Sequence, residues 1–268
     1  TVPPLLAGAK RAENRILPVI VAALLLVDCA WWAGAVWLGP ALQHRALLAA
    51  VDLFALLLLI VGGRALPSAV GGFLERQGIA RRDVNRSAWE LPLAALVGAA
   101  ALCDAVGLER VAGLLCLGAA LLTLRRVMAW QLSYTHREPR LWTLALGYLW
   151  LIPGLALKGI AQLDVGLAGA TMLHGITIGG IGTLTLTMMA RTALLRARVP
   201  LEPFGDIGVA VLLVSAAAIG RLLAAFVPAA AAGLLWFATL AWTSAFAVLL
   251  LRLLNTARRS RQHGGRAS

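Results

Sequence analysis

The sequence predicts an all-α protein, a polytopic transmembrane helix bundle of about eight spans, from its length, its hydropathy and the placement of its charges. The chain has 268 residues, 60% of them hydrophobic and only 13% charged, and its mean hydropathy is +0.85. Soluble globular domains contain fewer apolar residues than this. Because one span needs about 20 apolar residues, the chain has room for roughly eight or nine spans and for no sizeable domain outside the lipid bilayer.

Eight apolar runs, each bounded by charged residues or by Gly and Pro, are the predicted spans. The break between the last two depends on Pro228, and without it the chain has seven spans. The first run follows three cations, as a signal peptide does, but its length favours a membrane helix. A single transmembrane domain therefore covers residues 1–257, and residues 258–268 are predicted to be a disordered basic cytoplasmic tail. The spans cover residues 16–38, 46–63, 91–107, 111–129, 141–159, 168–190, 207–227 and 229–251.

The basic residues lie mostly on one predicted face of the membrane. With the N-terminus placed inside, 20 of the 24 Lys and Arg residues fall on the inner side, as the positive-inside rule requires. The net charge of +12 is thus explained by topology, with both termini inside, and it requires no nucleic acid partner. The four exceptions are Arg45, Arg110, Lys158 and Arg221.

Ionisable residues inside the spans are candidates for function, because a charge in lipid is costly and usually faces the bundle interior. We expect Asp104 and Lys158 to be interfacial, since they lie near the outer ends of their spans. His174 and Arg221 lie at similar depths on consecutive helices, so they meet if those helices pack side by side. Arg221 would then suit a carboxylate or a haem propionate, and the alternative is that it extends to the headgroups. The full set is Asp28, Asp52, Asp104, Lys158, His174 and Arg221.

His174 begins the most informative segment of the chain. Gly175, Gly179 and Gly182 follow at helical spacing and form a smooth face that a neighbouring helix or a flat ligand can approach. A neutral imidazole beside such a face is a ligand for metals and for haem iron, and the alternative is a hydrogen-bonded core histidine. The predicted cofactor site comprises these four residues and Arg221, with His174 as its metal ligand.

A second motif, Gly62-Gly-Arg-Ala-Leu-Pro67, predicts the inner end of the second helix. The glycines end the helix, Arg64 bonds its last carbonyls and Pro67 prevents continuation. The three cysteines have no metal-site spacing. No phosphate-binding loop, zinc-protease motif or nucleophile elbow occurs, so the motifs predict no enzymatic reaction.

The segment His174–Arg191 resembles the NnrS family, together with Leu146-Gly-Tyr148 and the motif that contains Gly63, Arg64 and Pro67. The resemblance implies a bacterial inner-membrane, multi-pass protein that contains haem and copper and is associated with resistance to nitric oxide. It implies no defined enzymatic reaction. It also marks Gly63, Arg64, Pro67, Tyr148 and Arg191 as motif positions.

The chain departs from the family pattern in two ways. Family members are usually longer, so we expect an N-terminal third to be missing here. They also commonly carry a histidine where this chain has Ala145. One imidazole can ligate a haem iron but cannot make a copper site alone, so the resemblance implies haem at His174 more directly than copper.

Three functional hypotheses remain open at this point. The first is an NnrS-like protein that acts in nitric oxide or nitrosative stress, through a haem bound by His174. The second is a transporter or permease in which Asp52, His174 and Arg221 line an outer pathway. The third is a truncated, cofactor-free relative held together by small-residue packing. The sequence makes no prediction of oligomeric state.

Overall fold

A computed structural model describes residues 16–80, 87–163, 166, 169–196 and 205–264. Within them it contains ten α-helices and no strand. Wider π-helical turns cover Gly34–Leu38 and Gly175–Gly182, and 3-10 turns cover Leu132–Arg137 and Pro228–Ala230. The α-helices are α1 (Ile16–Ala33), α2 (Pro40–Arg76), α3 (Ser87–Val106), α4 (Glu109–Met128), α5 (Pro139–Leu149), α6 (Leu151–Gln162), α7 (Gly169–Met172), α8 (Thr183–Arg196), α9 (Gly205–Phe226) and α10 (Ala231–Gly264).

These helices build eight segments that are long and apolar enough to cross a membrane, which confirms the predicted all-α transmembrane bundle. The break between the last two spans is also confirmed, because α9 ends at Phe226 and Pro228 begins a separate 3-10 turn. An even number of spans puts both ends of the spanning region on the same side of the membrane. The segments are Ile16–Leu38, Pro40–Arg76, Trp89–Val106, Glu109–Met128, Pro139–Gln162, Gly169–Arg196, Gly205–Phe226 and Pro228–Ala257.

The predicted end of the second helix at Gly62-Gly63 is wrong. Helix α2 continues through both glycines and through Pro67 to Arg76. Pro67 has no N–H, so the carbonyl of Gly63, four residues earlier, loses its helical partner. Arg126 supplies the missing donor, with Nη2 3.2 Å from the Gly63 oxygen. Because this side chain replaces the lost hydrogen bond, the helix tolerates the proline.

The span at Pro139–Gln162 consists of two helices that meet at Trp150. Pro153 explains the break, because it lies in the first turn of α6, where it needs no N–H partner and where its ring disfavours a continuous helix. The junction places the indole of Trp150 between α9 and the π-helical turn, where its Nε1 donates to Ser215 Oγ at 3.0 Å.

Glycines allow α4 and α6 to approach closely. A Cβ added at Gly113 would lie 2.8 Å from the carbonyl oxygen of Gly159, and one added at Gly159 would lie 2.6 Å from that of Gly113. Lipid chains are as apolar as the side chains, so close packing of this kind is what associates helices in a membrane. The contact brings Cys116 of α4 beside Lys158 of α6.

Helix α1 lies at the edge of the bundle, with Ile20 as its only buried residue. Asp28 is therefore exposed on the surface of the bundle, and the expectation that it faces the interior is wrong. At the other end of the chain, the residues predicted to form a disordered tail begin inside α10, which continues to Gly264. Residues 265–268 lie outside the described residues.

Candidate functional site

His174 lies between α7 and the π-helical turn Gly175–Gly182, and it is half-buried. Its Nδ1 is 2.9 Å from the carbonyl oxygen of Thr171. A carbonyl only accepts, so Nδ1 carries the proton in this contact and Nε2 carries the lone pair. The carbonyl of Thr171 thus fixes the tautomer in which Nε2 is the acceptor atom of the ring.

Arg221 of α9 reaches this atom from the next span. Its Nε donates to Nε2 of His174 at 3.3 Å, and the guanidinium is half-buried. The two side chains therefore meet, as expected if their helices pack side by side, and Arg221 turns toward the bundle and not to the headgroups. The pair combines an imidazole of defined tautomer with a cation that suits a carboxylate.

The glycine face beside His174 is filled by neighbouring helices. A Cβ on Gly179 would lie 2.5 Å from the ring of Trp150, and one on Gly175 would lie 2.9 Å from the Cα of Gly154. Gly182 faces Val214 of α9 less tightly, at 3.3 Å. Of the two expectations for this face, the structure shows the approach of a helix and leaves no space there for a flat ligand.

The residues at this site fit one part of a haem site and not another. Nε2 of His174 could ligate an iron if Arg221 released it, and Arg221 could then pair with a propionate. The faces at Gly175 and Gly179, in contrast, are filled by Gly154 and Trp150. Copper fits less well, since the described residues contain no group of three His, Cys, Asp or Glu side chains able to hold a metal. Ala145, where the family carries a histidine, is buried in the core.

Three of the other predicted motif positions, Gly63, Arg64 and Tyr148, lie around a second polar group, a buried arginine. Arg126 of α4 is 2% exposed, and its Nη1 donates to the carbonyl of Leu59 at 3.1 Å and to the hydroxyl of Tyr148 at 3.3 Å. The glycines of α2 make room for these groups, because a Cβ on Gly62 would meet the Tyr148 ring at 2.8 Å and one on Gly63 would overlap the guanidinium.

Arg64 does not bond the last carbonyls of a helix end, as predicted, because α2 does not end there. Its Nη2 pairs with Glu90 of α3 at 2.8 Å, and Glu90 is 1% exposed. Arg126 also lies 3.7 Å from this carboxylate. The predicted motif residue Arg191 lies half-buried in α8. Glu90 and Arg126 were missed in the sequence analysis. Their positions were a usable signal, because Glu90 directly precedes one predicted span and Arg126 lies within another.

A third polar cluster was also missed, and the expectation that Asp104 and Lys158 are interfacial is wrong. Lys158 is 1% exposed, and its Nζ donates to Asp52 Oδ1 at 2.5 Å and to Asp104 Oδ2 at 2.7 Å. Gln162 Nε2 donates to Asp104 Oδ1 at 2.7 Å. Nearness to a helix end did not expose these groups, because α2, α3, α4 and α6 pack around them.

Asp52 and His174 belong to different clusters. The polar contacts of Asp52 are with Lys158 and Cys116, and those of His174 are with Thr171 and Arg221. The outer pathway that the transporter hypothesis draws through Asp52, His174 and Arg221 thus joins groups that the structure places in separate environments.

Comparison with known proteins agrees with the motifs. A family model described as NnrS protein matches residues 2–261. The chain belongs to the NnrS family. The expectation of a missing N-terminal third stays a prediction, because the match gives only which residues of this chain resemble the family. Searches of curated proteins and of solved structures each gave no match. This NnrS-family chain is therefore a multi-pass membrane protein whose helices are suited to a lipid bilayer.

Proposed function

We propose that this NnrS-family protein acts in the bacterial response to nitric oxide, from the inner membrane, through a haem held by His174. The observation that carries the proposal is the fixed tautomer, in which Thr171 holds Nδ1 and the lone pair is on Nε2. This lone pair accepts from Arg221 here, so a ligated metal would take the place of that hydrogen bond. Arg221, already in contact with this atom, is the cation that would pair with a propionate. A bound haem iron would supply a binding position for nitric oxide.

The residues of this chain have separate tasks in the proposal. His174 ligates, Thr171 orients the ring through its carbonyl, and Arg221 neutralises a carboxylate. Trp150 fills the glycine face and bonds Ser215, so it holds the π-helical turn against α9. The described residues offer no comparable set for copper, which stays a prediction of the family resemblance.

The cofactor proposal is tested by the absorbance spectrum of protein purified in detergent after expression with haem supplied. We expect a Soret band in the wild type that is lost in His174→Ala and retained in His44→Ala. His44 is a suitable control, because it is an exposed histidine on α2. A colourless wild type, or a band unchanged in His174→Ala, would contradict the proposal, and the colourless wild type would favour the cofactor-free alternative.

The physiological role is tested in the same strains. A bacterium that lacks the gene should lose viability under a nitric oxide donor, and the wild-type gene or His44→Ala should restore it. His174→Ala should not restore it, although the protein reaches the membrane in equal amount. Equal survival with and without the gene would show that the role in nitric oxide stress is wrong.

A further inference from the structure

The polar cluster around Lys158 is a second site, with its own chemistry. Four helices contribute to it, with Asp52 from α2, Asp104 from α3, Cys116 from α4, and Lys158 and Gln162 from α6. Both carboxyl groups are 0% exposed and the ammonium group is 1% exposed. The thiol of Cys116 lies 3.7 Å from Lys158 Nζ. These are the titratable side chains that the described elements direct at the Asp52 carboxyl.

The charges of this cluster do not balance. Two carboxylates and one ammonium leave a net charge of −1 among side chains that are at most 1% exposed. A buried charge is tolerated when a partner neutralises it, and here one Lys is shared by two acids. One further positive charge is required, and it must bind where an oxygen is still available.

The hydrogen bonds identify that oxygen. Lys158 and Gln162 use both oxygens of Asp104, and Lys158 uses Oδ1 of Asp52. Asp52 Oδ2 is buried and has no hydrogen-bond partner among the described residues, and the same holds for the acceptor Oε1 of Gln162. A proton on Oδ2 removes the excess charge without disturbing any hydrogen bond of the cluster.

A metal ion fits this cluster less well than a proton. Lys158 Nζ already occupies the position between the two carboxylates where a cation would sit. The described residues also form no group of three His, Cys, Asp or Glu side chains able to hold a metal. A proton needs only the single available oxygen.

We propose that the Asp52–Lys158–Asp104 cluster is a proton-binding site that takes up one exchangeable proton on Asp52 Oδ2. The carboxylate and the proton combine to a carboxylic acid, no electrons are transferred, and the net charge of the cluster changes from −1 to 0. Asp104 lies two residues before the end of α3, and Lys158 lies four residues before the end of α6, so the site is close to one end of the bundle. Charge placement predicts that this end faces outward, toward the aqueous phase that supplies the proton. The site does not depend on the haem proposal.

Infrared spectroscopy of the purified, lipid-reconstituted protein at neutral pH tests the proposal. The carbonyl band of a protonated carboxylic acid is compared between wild type and Asp52→Asn, Asp104→Asn and Lys158→Met. We expect each Asn variant to lose the intensity of one carboxylic acid, because the remaining acid is then ionised by Lys158. Lys158→Met should show the intensity of one more carboxylic acid than the wild type, because neither Asp52 nor Asp104 then has a cation beside it. In D₂O the wild-type band should shift, since the proton is exchangeable.

Asp28→Asn is the matched control, because Asp28 is an intramembrane acid outside the cluster. The carboxylic acid band of the cluster should remain in Asp28→Asn. Any band intensity that this substitution removes comes from Asp28. The Asn variants are isosteric, and circular dichroism verifies that they fold. Spectra of wild type and Asp52→Asn that do not differ would overturn the proposal. A wild-type carboxylic acid band that does not shift in D₂O would also overturn it, because the proton would then not be exchangeable.

Discussion

At the scale of the residue, Arg126 shows how a cation is accommodated inside an apolar bundle. Its guanidinium bonds the carbonyls of Leu59 and Gly63, contacts Tyr148 and lies 3.7 Å from Glu90. Trp130 adds a ring whose centroid is 5.3 Å from the guanidinium carbon. The arginine therefore joins α2, α3, α4 and α5 through directional contacts that an apolar side chain cannot replace.

Replacing this arginine should destabilise the fold. Arg126→Met leaves the Gly63 carbonyl unpartnered and removes one cation from the buried Glu90, which costs about 3 kcal/mol. Denaturant titration in detergent micelles, followed by circular dichroism, measures the free energy of unfolding. Arg125→Met is the control, because Arg125 is adjacent in sequence but exposed. Equal unfolding free energies for the two variants would show that the buried contacts do not stabilise the fold.

The sequence was informative for some of these residues and not for others. A contact between His174 and Arg221 could be anticipated, on the condition that their helices pack side by side, because both are polar and lie at similar depths on consecutive helices. Asp104 and Lys158 were assigned to the interface because they lie near helix ends. Their burial depends on which helices surround them, and a one-dimensional pattern does not contain that information.

At the scale of the element, glycine decides how closely helices pack. Helix α4 carries two glycines in different environments. Gly113 faces the backbone of Gly159, whereas a Cβ on Gly118 would only touch Leu96 at 3.7 Å. Gly113 is therefore required for the contact between α4 and α6, whereas Gly118 is not.

Substitution of these glycines should therefore have unequal effects. Gly113→Ala forces α4 and α6 apart and should cost about 1–3 kcal/mol of unfolding free energy, as overpacking does. Gly118→Ala should cost little, because its Cβ makes an ordinary contact. Thermal unfolding in detergent compares the two variants. A melting temperature lowered equally by both would refute the close contact between these helices.

Pro67 and Pro153 differ from the sequence prediction in opposite ways, because a helix continues through the first and breaks beside the second. Pro67 was expected to end a helix, yet α2 continues through it because Arg126 bonds the carbonyl that the proline leaves free. Pro153 lies in a run predicted to be one helix, yet the chain breaks at Trp150. The effect of a proline depends on whether another group compensates for the lost hydrogen bond, and that group is distant in sequence.

At the scale of the whole molecule, eight spans follow from composition and apolar run length alone, because a membrane imposes a nearly fixed helix length. The observed boundaries differ most from the predicted ones at α2, which extends past both ends of the predicted span. The inside position of both termini stays a prediction from the placement of the cations. Which polar groups share an environment could not be predicted, because four helices build the Lys158 cluster and three spans enclose the His174 site.

The central claim is that Nε2 of His174 ligates a haem, and chemical rescue tests it most directly. His174→Gly removes the imidazole and leaves a space of its size beside Arg221. We predict that purified His174→Gly lacks the Soret band and that added imidazole, with haem present, restores it. A wild-type Soret spectrum in His174→Gly without imidazole would contradict the claim.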